Sequence, residues 1–231
     1  MDTTMTADME TEALQALFAE TNYRLRESRK AVLQHYGVGT EADLLTKIEL
    51  ASVAEHPAYE LYLSALILEQ TRMQIRAELL AQLSGGAPQE RPSISVHLGL
   101  KEQLDAHYGS RLLEPVRMAQ DALMMSFDTG LVVEVRYFSR QEYSIMWTFG
   151  DALLRIDTAP THPDCATFPH HLHRGESAAV DDPATSPDTD CWFHLSGLLK
   201  RLLQDPLLGA LEASSASRQN ATECCAAASN E

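Results

Sequence analysis

Basic side chains are scarce in this chain: 18 Lys and Arg stand against 33 Asp and Glu, a net charge of −15. The deficit is not local, with 8 against 14 over residues 1–96 and 9 against 16 over residues 97–211. Tight non-specific binding to duplex nucleic acid needs clustered Lys and Arg to neutralise phosphates, so that class of function is excluded. Cysteine is equally sparse. Cys165, Cys191, Cys224 and Cys225 show no CxxC spacing, and the last two are adjacent in a polar tail, so neither a disulfide framework nor a zinc finger is expected. No run of about 18 apolar residues exists to form a membrane-spanning helix. The opening MDTTMTADMETE lacks a basic segment followed by an apolar core, so no secretory signal is expected and the cytoplasm is the expected location. At 231 residues the length suits one large or two small domains.

The first third of the chain has helical periodicity. Over residues 11–36, Leu14, Leu17, Phe18, Leu25, Val32, Leu33 and Tyr36 recur at spacings of three, four and seven, and Gly37 supplies a stop. Thr40 with Asp43 three positions on predicts an N-cap, followed by a short helix burying Leu44, Leu45 and Ile48. A long helix is predicted from Pro57 to Leu83, with a stripe from Leu61 through Leu68 and Ile75. It would span about 40 Å at 1.5 Å per residue. That exceeds what a three-helix unit needs, so a homodimer through this helix is expected. Residues 84–96, SGGAPQERPSISV, read as a linker.

Beyond the linker, residues 100–108 and 111–120 give two short helical patterns. Four strands follow, at 123–127, 131–138, 143–149 and around 154–157, with Asp128-Thr129-Gly130 as a hairpin turn. Alternation along them predicts an antiparallel meander. One face is apolar, and the other carries Glu134, Arg136, Ser144, Thr148, Arg155 and Asp157. Trp147, Tyr137 and Tyr143 fall on the core face. Residues 174–189 read as an acidic Pro/Ser loop, and Asp190 caps a last helix whose Trp192, Leu195, Leu198, Leu199 and Leu202 suit the apolar face of the sheet. From 209 onward the Ala/Ser/Asn-rich tail offers too little apolar surface and is expected to be disordered. The fold class is therefore α+β: a helical domain over 1–83, then a small sheet flanked by helices over 97–208.

The richest stretch is Arg155 to Gly175, RIDTAPTHPDCATFPHHLHRG. Four of nine histidines (His162, His170, His171, His173) follow Asp157, with Pro160, Pro163 and Pro169 between them. Proline forbids a helix here and pushes its predecessors toward extended geometry. If 170–173 are extended, His171 and His173 face one way and His170 the other.

The order Arg155, Asp157, Ala159, Pro160, His162, then Thr167, Phe168, Pro169, His170, His171 and His173 resembles the toxin component of TumE-type toxin-antitoxin modules, over roughly residues 100–208. The run from Tyr36 to Glu69, with Glu55-His56-Pro57-Ala58-Tyr59-Glu60 at its core, is similar to the small helical partners of such toxins. The resemblance implies toxicity and contact between a toxin-like and an antitoxin-like half, within one chain or between two.

The chemistry is inferred from the residues. Metal-independent RNA cleavage needs a group to take the 2′-hydroxyl proton, another to protonate the leaving oxygen, and a cation to stabilise the phosphorane. Histidine titrates near neutrality and serves both proton roles. The catalytic candidates are Asp157, His162, His170, His171, His173, Arg155 and Arg136, with Asp157 orienting a histidine. RNA is the expected substrate, no cofactor is required, and no membrane is involved. Two rival readings stand beside this one. The imidazoles and a carboxylate also suit a metal-binding hydrolase, or the loop only pins the sheet in a non-catalytic interaction protein.

Overall fold

The computed structural model describes residues 3–83, 95–175, 177–184 and 189–209. Most of the expected linker, the tail from residue 210 and Cys224 and Cys225 lie outside the described residues.

Three helices open the chain: α1 (Thr3–His35), α2 (Glu41–Glu49) and α3 (Glu55–Leu83). Gly37, at φ 62°, takes the left-handed turn that ends α1. Thr40 and Asp43 form the expected capping box, the Asp43 amide donating to Thr40 Oγ1 at 3.2 Å and the Thr40 amide to Asp43 Oδ2 at 3.0 Å. In α3, His56 and Pro57 depart from helical dihedrals, so the regular helix begins after the proline and Glu55 stands ahead of it. Leu44, Ile48, Ala58, Tyr59, Tyr62, Leu63 and Ile67 form the core of this half, and Ala159 from the other half is part of it. Leu14 and Leu17, expected on the buried stripe of α1, are 41 % and 60 % exposed.

After α4 (Val96–Tyr108) comes one antiparallel sheet with strands in chain order: β1 (Arg117–Met118), β2 (Leu123–Ser126), β3 (Val132–Tyr137), β4 (Tyr143–Phe149), β5 (Ala152–Asp157), β6 (His171–Arg174) and β7 (Val180–Asp181). The helix α5 (Cys191–Leu202) closes the described fold, its first turn capped by Asp190 Oδ1 accepting from the amides of Trp192 and Phe193. The meander has seven strands instead of the four expected. Two of the additions are two-residue edges, and β6 emerges from the proline-rich segment because its backbone pairs with β5. The helix expected at 111–120 is absent. Pro115 removes an amide donor in its middle, and the chain instead bridges Leu112 to Phe127 and pairs Arg117 with Met124.

Register explains the two faces of the sheet. Val135, Ile145, Ile156 and Leu172 lie in one cross-strand row and pack with Trp147, Tyr137, Tyr143, Leu104, Leu195 and Leu199 in the larger core, under α4 and α5. The next row, Arg136, Ser144, Asp157 and His171, points to the opposite face. There α3 lies across the sheet with polar groups of its own. Tyr59 Oη meets Thr158 Oγ1 at 2.9 Å, Tyr62 Oη donates to Glu142 at 3.1 Å, and Ser64 Oγ donates to Asp121 at 2.5 Å. The two halves thus meet through a polar interface on the unsheltered side of the meander.

The apolar side holds two neutral histidines that make the fold acid-sensitive. His97 Nε2 accepts the Tyr137 amide at 3.0 Å, and His194 Nδ1 lies 2.5 Å from Tyr137 Oη. Burial is the main cause that pushes each down to about 4, against about 6.5 in an unfolded chain. Their folded-state pKa values are depressed, so the stability they contribute is fully present above about pH 6.5 and is lost as the pH falls toward 4. Thermal melts are expected to show the midpoint falling across that window, before most carboxylates titrate. A midpoint flat from pH 6.5 to 4.5 would contradict this placement of the two rings.

Candidate functional site

The site grows from two adjacent strands. Arg155 and Asp157 are two residues apart on β5 and so share a face. Antiparallel pairing sets His173 opposite Arg155 and His171 opposite Asp157, within side-chain reach. Between β5 and β6 the chain makes successive turns, with the amides of Cys165 and Phe168 donating to the carbonyls of His162 and Cys165 at 3.1 Å. These turns fold His162 back over the same face. The three rings pack edge to face, with centroids 4.6 Å apart for His162 and His171, 4.8 Å for His171 and His173, and 5.2 Å for His162 and His173.

At the centre of the three rings lies a residue from the other half of the chain. Glu55 Oε1 is 2.8 Å from His173 Nε2, 3.3 Å from His171 Nε2 and 2.8 Å from Arg155 Nη2. Its other oxygen, Oε2, is 2.7 Å from His162 Nε2 and accepts from Thr161 Oγ1 at 2.6 Å. Asp157 lies beneath, fully buried. Its Oδ2 accepts from Arg155 Nε at 2.5 Å, and its Oδ1 accepts from the Ala159 amide at 2.9 Å and sits 3.1 Å from His171 Nε2. Glu60, also buried, approaches Arg155 Nε at 3.3 Å and His56 Nδ1 at 3.1 Å. Those are ion-pair contacts without hydrogen-bond geometry, and both of its oxygens lack a hydrogen-bond partner.

Protonation follows from this crowding. Burial opposes charge on His171, but the hydrogen bonds to Asp157 and Glu55 outweigh it and push its pKa up to about 10. Its Nδ1 donates to the Pro169 carbonyl at 2.9 Å, since a carbonyl only accepts. Burial likewise opposes ionisation of Glu55, yet His171, His173 and Thr161 hold its carboxyl well below the usual carboxylate range. Asp157 is also held low, burial being overcome by His171 and Arg155.

Of the seven residues expected from sequence, five come together: Arg155, Asp157, His162, His171 and His173. His170 does not join them. Strand alternation turns it to the core face, where Nδ1 lies 2.7 Å from Tyr143 Oη. Arg136 stands two strands away, engaged by Asp121 and Ser64 at 3.1 Å and paired with Glu134. Glu55 was missed. Its signal in the sequence is its place at the head of the Glu55-His56-Pro57-Ala58-Tyr59-Glu60 run that carries the resemblance to the helical partners. Cys165 is half-buried in the turns and contributes no side-chain contact to the cluster. An open depression of about 480 Å³, lined by Thr161, His162, Pro163, Asp164, Cys165 and Asp181, borders the cluster on the His162 side.

Comparison with known families bears on this joint site. Residues 101–194 match the Toxin TumE family. Every residue of the cluster except Glu55 and Glu60 lies in that matched region. Residues 3–87, which contain both glutamates, match the Uncharacterized protein MJ0235 family, a description that assigns no role to the helical half. No curated protein and no solved structure matches the chain. The TumE match covers the sheet, α4 from its second turn onward and the first residues of α5, and it supports a toxin-related function for that part. No helix among the described residues is long and apolar enough to cross a membrane.

Proposed function

We propose that the TumE-matching half cleaves RNA at the histidine cluster, and that the helical half restrains it by placing Glu55 where the substrate phosphate would sit. One observation carries the reading: three imidazole nitrogens, a guanidinium and a hydroxyl converge on a single carboxylate oxygen pair. Such a position is preorganised for an anion, and preorganised positive groups are worth most where water is excluded. A phosphodiester carries an anion that fits there. The 2′-hydroxyl of the same strand would pass its proton to the His173 imidazole as its oxygen bonds to phosphorus, and protonated His171 would give its proton to the 5′-oxygen as the P–O5′ bond breaks, leaving a 2′,3′-cyclic phosphate and a free 5′-hydroxyl. Arg155 faces the charge that grows on the phosphorane, and Asp157 holds both Arg155 and His171 in place. The depression beside His162 gives a single strand a route to the cluster.

The acidic balance of the chain fits a resting state in which the site is already filled by a carboxylate. Exposed Leu17, Tyr23 and Met73 on the helical half support a second copy or a partner packing there, with the cytoplasm as the setting.

Expression of the full chain in bacteria tests the reading. The unaltered chain is expected to be tolerated and Glu55→Ala to arrest growth, with loss of intact cellular RNA. Adding His173→Ala to Glu55→Ala should restore growth. If Glu55→Ala accumulates as folded protein and growth continues, the cluster is a joint between two halves and the nuclease reading is wrong.

A further inference from the structure

We infer that Glu55, His162, His171 and His173 form a four-ligand site for a divalent ion of the zinc class, shared between the two halves of the chain. Each residue offers one ligand atom, and these four atoms lie within 4.8 Å of one another. Three imidazole nitrogens and one carboxylate oxygen are a ligand set that zinc takes, at about 2.0–2.2 Å per bond in tetrahedral geometry. All three histidines present the same atom, Nε2, to the centre. For His171 the other nitrogen donates to the Pro169 carbonyl. That is the outer-sphere bond which fixes the tautomer of a metal-bound histidine and leaves Nε2 free to coordinate.

Charge points the same way. The carboxylates of Glu55, Asp157 and Glu60 face the guanidinium of Arg155 at close range, with His56 against Glu60 at the edge. Three carboxylates against one guanidinium leave two negative charges to be balanced at the imidazoles, and a divalent ion held by the three Nε2 atoms does so in place of ring protons. Buried charge without such compensation is costly. Among the described residues no cysteine joins the four. The ligand set is also complete only when the halves are together. Three ligands come from the region matching the toxin family and the fourth from the helical half, so Glu55 closes the position that a catalytic zinc site leaves open for water or substrate.

The inference deepens the proposed function by naming what holds Glu55 in place, and it is tested separately. The full chain is purified, stripped with a chelator, checked for its fold by circular dichroism, and titrated with zinc alone and then with cobalt(II). One zinc per chain, a raised melting temperature and the intense visible bands of tetrahedral cobalt are expected. Outer-sphere changes in metal sites cost roughly 10- to 100-fold in affinity. Loss of a ligand in His173→Ala should therefore weaken zinc binding by more than about 100-fold, with Glu55→Gln also weaker than the unaltered chain. If the variants do not fold, stoichiometry and the cobalt spectrum of the unaltered chain still decide. Failure to bind one equivalent, an octahedral cobalt spectrum, or affinity unchanged in folded His173→Ala overturns the site. A chain that binds no zinc but arrests growth as Glu55→Ala removes this inference and keeps the function. One that binds zinc and arrests nothing does the reverse.

Discussion

Asp157→Ala is expected to destabilise the protein by about 3 kcal/mol, read as a lower urea midpoint at pH 7. Removing one partner from a buried ion pair costs about 3–5 kcal/mol because the other charge is left uncompensated. Here the orphaned groups are Arg155 and His171, with the Ala159 amide losing its acceptor as well. The low end of the range applies because Arg155 keeps Glu55 at 2.8 Å and approaches Glu60 at 3.3 Å, and His171 keeps Glu55. Asp157→Asn should fall between the two: it retains an oxygen for the Ala159 amide but turns a donor toward a cation. A loss below about 1 kcal/mol for the alanine variant would mean that the carboxylate is solvated and that the cluster is looser than its distances state.

The second large effect lies on the opposite face of the sheet. Trp147 is buried in the central strand β4, and its Nε1 donates to the Pro206 carbonyl at 2.8 Å. Trp147→Ala is expected to cost roughly 3–5 kcal/mol through the lost transfer free energy and the cavity left behind. Trp147→Phe keeps most of the ring volume and gives up the hydrogen bond, so its cost should be nearer about 1–2 kcal/mol. Comparison of the two by urea denaturation separates packing from the tether to the segment after α5. Equal losses for both would show that the tether, and not the core, is what the tryptophan supplies.

The two positions differ in how much of their role could be read in advance. Trp147 recurs with Tyr143, Ile145 and Phe149 at every second position, Ser144 and Thr148 falling between them, and that alternation assigns it to a core face. Asp157 and the His171-x-His173 pair were legible by the same rule, since residues two apart on a strand must share a side. His170 was assigned to the other face by that rule, and the structure places it against Tyr143. Arg136 shares a face with Asp157, but same-face membership does not fix distance across strands. Two intervening strand spacings of about 4.8 Å keep it with Asp121 and Glu134. The helix expected at 111–120 failed because apolar spacing was weighed above Pro115, whose missing amide suits a turn better than a helix interior.

Short-range features were legible in the residues alone: the capping box at Thr40, the turns at Gly37 and Gly130, the two faces of the strands, and the clustering of histidines after one acid. Those follow from dihedral preference and side-chain period, which act over a few residues. Long-range packing alone selects the group that fills the cluster. Glu55 is separated from His162 by 107 residues and from His173 by 118, so no period or spacing connects them. They meet because α3 lies across the polar face of the sheet, and a half-buried carboxylate there is stabilised by the imidazoles, the guanidinium and the Thr161 hydroxyl it reaches.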